Sequence, residues 1–214
     1  PLLDGKVLQA GDVKNWEGAA QEAIEYERQT GETTWWTNSM FSGMPAYQIK
    51  NAHNFNVIEF INIPFTLGPY SQSAGIMFLM ALGFYIFLVC MGANPWMSIF
   101  AGLVYALGSY NVIITGVGHI TKAWAMAMMA PILAGMILVF KKKYISGVAL
   151  FALALGMQLS FNHIQITYYT LITAVVLGIS YLVFAIKEKD IKDFGKSFGI
   201  LVIGAILAVL PSSA

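Results

Sequence analysis

Two apolar runs joined by a short polar turn constrain this chain more than any other feature. Pro95 to Thr115 is the first run and Ala123 to Phe140 the second. The turn Gly116-Val117-Gly118-His119-Ile120-Thr121-Lys122 joins them, and Lys141-Lys142-Lys143 closes the second run. Each run is about 20 residues, or about 30 Å as a helix, which matches the hydrocarbon core of a bilayer. Charge is costly at membrane depth, so His119 and Lys122 at the span boundary form a candidate site. The plainer alternative has Lys122 snorkelling to the headgroups and His119 as an ordinary loop residue.

Composition supports a membrane setting. The chain is 57% hydrophobic and 11% charged, whereas a soluble domain carries about 25% charged residues. An integral, all-α membrane protein is expected. The net charge of +1 gives no reason to expect a nucleic-acid partner. Cys90 is the single cysteine, so an intrachain disulfide and a cysteine-based zinc cluster are excluded. The chain starts at Pro1 without a leading apolar span and stops at Pro211-Ser212-Ser213-Ala214, so it reads as a fragment of a longer protein.

Residues 1–72 read as a polar, water-facing segment with interfacial helices, and eight of the eleven acidic residues fall in it. Asp12 precedes a helical pattern of Val13, Trp16, Ala20, Ala23, Ile24 and Glu27 at three- and four-residue steps. Thr30-Gly31 supplies its stop. Such a helix suits a membrane surface. The stretch Trp35-Trp36-Thr37-Asn38-Ser39-Met40-Phe41-Ser42-Gly43-Met44-Pro45 follows, rich in aromatics and turn residues. It reads either as an interfacial aromatic belt or as a stacking surface for a sugar ring or lipid head, with Trp36 and Asn38 as substrate contacts. Residues 55–70 look interfacial.

Residues 73–214 read as a helical bundle with spans at 75–92, 95–115, 122–140, 144–161, 167–186 and 197–210. Gly102 with Ala106, and Ala152 with Gly156, are small pairs that permit close helix packing. Lys141, Lys142, Lys143, Lys187, Lys189, Lys192 and Lys196 mark one side as cytoplasmic. Parity then puts 1–72, 116–121, 162–166 and 211–214 outside. Asp12, His53, His119, Lys122, Asn162 and His163 thus collect on the external side. Beyond the boundary residue Lys122, no Asp, Glu, Lys or Arg lies within a span. An ion-coupled transporter usually needs such groups, or broken helices, near the midplane. Asn111 and Gln158 are the nearest substitutes.

Asp12 has two readings: an N-cap, or a catalytic base or metal ligand. Three histidines in separate loops are weak grounds for a metal site. The N-termini of the spans starting near 122 and 167 point outward, with Thr121 expected as one cap and Asn162 with Gln165 as a capping box for the other. Lys122, His119 and His163 would make that region positive and suited to a phosphate.

Four motifs in order carry a resemblance. They are Gly5-Lys6 followed by Gly11-Asp12, the stretch Trp36 to Tyr47, the turn Gly118 to Lys122, and Asn162-His163-Ile164-Gln165-Ile166-Thr167-Tyr168-Tyr169. Together they resemble the YfhO family of bacterial multispan membrane proteins, most of all its Bacteroidetes-type members; Ile120 stands where a polar residue is expected. The resemblance implies a GT-C-like architecture and transfer of a sugar from a polyprenyl-phosphate donor to an extracytoplasmic acceptor, a cell-envelope glycan or lipid. Asp12 then occupies the position of the catalytic acid of the first external loop, as base or as ligand of a divalent metal ion. His119 and Lys122 would bind the donor phosphate, and Asn162 and His163 would line the same site. The implied location is the bacterial inner membrane, multi-pass, with the site facing outside. A transporter or flippase of lipid-linked sugars is the alternative.

Overall fold

The computed structural model describes residues 11–46, 49 and 72–212. His53, Gly5-Lys6 and the interfacial stretch 55–70 lie outside the described residues. The fold is all-α, with eight α-helices among the described residues and one short hairpin. Helix α1 spans Gly11–Thr30. Strands β1 (Trp36–Thr37) and β2 (Met44–Pro45) pair antiparallel, Trp36 opposite Pro45 and Thr37 opposite Met44. Then come α2 (Gln72–Met91), α3 (Pro95–Ala106), α4 (Ser109–Val117), α5 (Ile120–Phe140), α6 (Tyr144–Ser160), α7 (Ile164–Lys187) and α8 (Ile191–Val209).

Three helices, α2, α5 and α7, are long and apolar enough to cross a membrane, and a fourth crossing is possible if α3 and α4 count as one. Helix α6 is apolar but has 17 residues, about 26 Å at 1.5 Å per residue. Helix α8 carries Lys192, Asp193 and Lys196 in its first two turns. The expected single span 95–115 is broken. Helices α3 and α4 meet at 47° across Leu107 and Gly108. The reason is local: the Tyr105 carbonyl accepts from Gly108 N at 3.2 Å and from Asn111 Nδ2 at 2.7 Å. The buried Asn111 amide thus fills a hydrogen bond that a continuous helix would have made with its own backbone.

Most turns between helices use one device. Gly92, Gly118, Lys142, Asn162 and Lys189 have positive φ of 105°, 102°, 64°, 52° and 58°. The following residue often donates back five positions, as in His119 N to Ile114 O at 3.2 Å and Lys143 N to Leu138 O at 2.9 Å. This is the Schellman ending of a helix. Gly31 also ends α1 in the left-handed region, with φ 75° and its N–H donating to Glu27 O at 2.8 Å, as the sequence indicates.

Helix α5 is the hub. It packs against α2 on one side and α6 on another, with 72% of its apolar window buried. Small residues make this possible. A Cβ on Gly135 would lie 2.6 Å from the Phe151 backbone nitrogen of α6, and one on Gly83 of α2 would lie 2.9 Å from the Pro131 ring of α5. Gly102 and Ala106 are buried as their spacing indicates. At the lysine-rich end, Phe140 stacks on Tyr181 of α7 and Phe194 of α8, with centroids 4.2 and 5.7 Å apart. There Lys142 pairs with Asp193 and lies 3.6 Å from Asp190, and Lys141 Nζ donates to the Cys90 carbonyl at 2.7 Å. The turns before α5 and α7 sit at the other end of the bundle.

Candidate functional site

Two turns of similar form build the site. Gly118 in the left-handed region precedes His119, the N-cap of α5. Asn162, also left-handed, precedes His163, the N-cap of α7. Neither imidazole makes a side-chain capping bond. The expected caps were Thr121 and Asn162 with Gln165. The structure corrects both, because the backbone turn fixes where each helix starts. Gln165 instead donates to the Tyr169 hydroxyl at 2.8 Å.

Helix α1 comes to this end of the bundle. Asp12 lies in its first turn rather than before it, so the N-cap reading is corrected. Its carboxylate Oδ2 sits 3.2 Å from His119 Nε2, with both side chains about half exposed. An exposed pair of this kind contributes at most about 1 kcal/mol, so it orients the groups more than it stabilises the fold. Lys122 Nζ lies 5.7 Å from the centre of the Tyr110 ring, at the outer limit of a cation–π contact. The His163 imidazole is held below its ordinary pKa, first by desolvation and then by the nearby Lys122 and His119 charges. That coupling brings His119, Lys122 and His163 into one electrostatic neighbourhood, with Asp12 as its carboxylate.

Trp36 and Asn38 belong elsewhere. The hairpin is clasped to α1 through Glu22, whose Oε2 accepts from Thr37 Oγ1 and, at 2.8 Å, from Asn38 N. These donors hold the Glu22 carboxyl below the usual range. Ser39 Oγ donates to Ala19 O at 3.1 Å, and Ala20 and Ala23 are buried on this face of α1. Glu22 is ten residues from Asp12, which along a helix is about 15 Å. Trp36 Nε1 donates to Asn38 Oδ1 at 3.2 Å, so those two side chains are engaged with each other. Trp36, Trp35 and Phe41 are all exposed. The seven residues singled out by sequence therefore fall into two places.

Sequence reading did not find the cavity beneath the second turn. It holds about 470 Å³ and is walled by α6 and α7, with Asn162, His163, Gln158 and Thr170 among its lining. A second cavity of about 440 Å³ shares Phe151, Leu171, Ala174 and Ala205 with it and continues toward Phe194 and Phe198. Gln158 is fully buried; its Nε2 donates to Ala125 O at 2.8 Å and to Thr170 Oγ1 at 2.9 Å. The Thr170 hydroxyl in turn donates to Ile166 O at 2.9 Å. Among the described residues, Gln158 Oε1 and His163 Nδ1 are buried without a partner. A buried polar atom left so costs about 1–3 kcal/mol. A lone amide in the apolar run 144–161 was the available signal; nothing local links it to Thr170.

Among the described residues, no three His, Cys, Asp or Glu side chains gather as a metal site. Asp12 and His119 offer two ligands, one fewer than the protein normally gives a catalytic zinc ion. Compared with protein-family models, curated proteins and solved structures, the chain matches none.

Proposed function

We propose that this is a multi-pass bacterial membrane protein that transfers a sugar from a polyprenyl-phosphate donor to a hydroxyl acceptor at the outer face of the cytoplasmic membrane. The observation that carries the reading is the approach of Asp12 to His119, 3.2 Å apart, beside two further cationic or basic side chains, Lys122 and His163. Asp12 takes the proton of the acceptor hydroxyl as its oxygen attacks the anomeric carbon. The bond from that carbon to the phosphate oxygen breaks, and the polyprenyl phosphate leaves with the electron pair. His119 and Lys122, at the N-terminus of α5, face the phosphate charge, where helix N–H groups also favour an anion. The lysine-rich turns at the opposite end support an outward-facing site by the positive-inside rule. The YfhO-like motifs point the same way.

The break between α3 and α4 favours a second reading, transport of the lipid-linked sugar, because interrupted helices recur in transporters. One experiment separates the two. Full-length protein in vesicles receives radiolabelled polyprenyl-phosphate sugar and a pool of acceptors. Transfer predicts labelled product, and Asp12→Asn lowers its formation at least about a hundredfold, the low end for loss of a general base. Movement of donor across the bilayer without product, unchanged in Asp12→Asn, would replace transfer with transport.

A further inference from the structure

We propose that the cavity between α6 and α7 binds a neutral, hydroxyl-headed lipid, whose hydroxyl donates to Gln158 Oε1 and whose hydrocarbon chain follows the cavity toward the lysine-rich end. The inference rests on the hydrogen bonding and the apolar walls of this cavity and is independent of the transfer reading.

The polar chemistry of the floor defines the headgroup. Ala125 O is a carbonyl and can only accept, so the nitrogen of the Gln158 amide must face it, which fixes the orientation of the amide. Both amide hydrogens are then spent, on Ala125 O and Thr170 Oγ1. The single hydroxyl hydrogen of Thr170 is spent on Ile166 O. What remains is Gln158 Oε1, a fully buried acceptor that no donor among the described residues reaches. The Thr167 hydroxyl is turned to the His163 carbonyl, 3.4 Å away, and adds no donor. His163, its Nδ1 also without a partner, is held toward its neutral form by burial and by Lys122 and His119. A phosphate or carboxylate would set its oxygens against an acceptor. An ammonium would carry an unpaired charge into an apolar chamber, which is costly. A hydroxyl meets the acceptor without either penalty.

The walls define the rest of the ligand. Apart from the polar groups at its outer end, the first cavity is lined by apolar side chains such as Ile132, Phe151 and Leu155. The second is lined almost wholly by such groups and shares four residues with the first. Along α7 the two extend from Ile164 to Leu182, about 27 Å at 1.5 Å per residue, close to the length of the hydrocarbon core. Only 6% of the apolar window of α7 is buried, so this wall lies open to lipid from the side.

The test uses full-length protein in detergent and three probes with the same oleoyl chain: 1-monooleoylglycerol, methyl oleate and oleate. Binding is read by native mass spectrometry and by the shift in melting temperature. Monooleoylglycerol should bind at least about tenfold tighter than methyl oleate, the scale of one buried hydrogen bond, and tighter than oleate as well, whose charge is costly to bury. Gln158→Leu should erase the preference over methyl oleate, while Ala174→Phe, which fills the junction of the two cavities, should abolish binding of all three. Equal binding of monooleoylglycerol and methyl oleate by wild type, or no binding, overturns the proposal; the former would mean a water serves Gln158 and only the chain is recognised. Retention of the preference in Gln158→Leu also overturns it. If that variant does not fold, probe selectivity in wild type and the loss in Ala174→Phe decide the matter.

Discussion

Helices α5 and α7 are close in length and mean hydropathy, yet one is the hub of the molecule and the other its outer wall. In α5, 72% of the apolar window is buried; in α7, 6%. Side-chain size accounts for the difference. Helix α5 is built from alanine, glycine and methionine, as in Ala123-Trp124-Ala125-Met126-Ala127-Met128-Met129-Ala130. Small side chains let neighbours approach on several faces, and methionine fills irregular gaps between them. Helix α7 is rich in isoleucine, valine, threonine and tyrosine. Bulky and β-branched side chains hold neighbours off, and lipid accepts them. Hydropathy shows that a helix shuns water, while residue size shows whether its neighbour is protein or lipid.

The sharpest way to break this comparison is to add the same bulk to both helices. Gly135→Leu forces a side chain into the Phe151 backbone, 2.6 Å from the new Cβ, whereas Gly178→Leu meets nothing within 4 Å. Thermal unfolding in detergent should show Gly135→Leu destabilised by about 3 kcal/mol or more, or unable to fold. Gly178→Leu should stay within about 0.5 kcal/mol of wild type. Similar losses in both would mean that α7 is as closely packed as α5.

A smaller effect is expected at His163, the N-cap of α7. His163 has its pKa lowered in the folded protein, so on acidification the unfolded chain takes up the proton first. Stability therefore holds above about 6.5 and falls as the pH drops through the interval below it. His163→Gln should remove this part of the acid sensitivity. Melting temperatures of wild type and variant at pH 7.5 and 5.5 would check it, and parallel pH curves would contradict it.

The smallest effect is expected at the far end. Asp193→Asn removes the partner of Lys142, which holds the carboxyl below its usual pKa. Both groups are exposed, so the melting temperature should fall only slightly, and the difference should vanish in high salt. A large, salt-resistant loss would show that this clip fixes α8 to the α5–α6 turn.

How much of this was legible in the sequence depends on the range of the interactions. Helix positions were readable, because apolar runs and turn residues act locally, and Gly31 stops α1 as expected. The break at Leu107–Gly108 was not read, although Gly108-Ser109 lay in plain view, because its driving contact is a side-chain amide folding back on Tyr105. The caps were misplaced because Thr121 and Asn162 are good cappers by residue type, yet the left-handed turn starts each helix one residue after a histidine. The hairpin was missed because each strand has two residues and is held by Glu22 of another element. His119, Lys122, Asn162 and His163 were each named from their place in the polar turns between apolar runs, and the fold sets His119 beside Asp12. Sequence alone could not separate Trp36 and Asn38 from that group, since the distance between them is set by where the hairpin clasps α1.

The central claim is that the first turn of α1 docks on the N-terminus of α5, bringing Asp12 to His119. The direct measurement is intramolecular crosslinking. With Cys90→Ser as background, cysteines replace Asp12 and His119 and are treated with a short bis-thiosulfonate reagent, and a protease site engineered between them reports whether the two fragments remain joined. A cysteine pair at Glu22 and Asn38, which are in contact across α1 and the hairpin, serves as the positive control. The account predicts rapid joining of positions 12 and 119, as fast as in the control. A control that joins while positions 12 and 119 stay separate would contradict it, and the proposed catalytic role of Asp12 beside His119 would go with it.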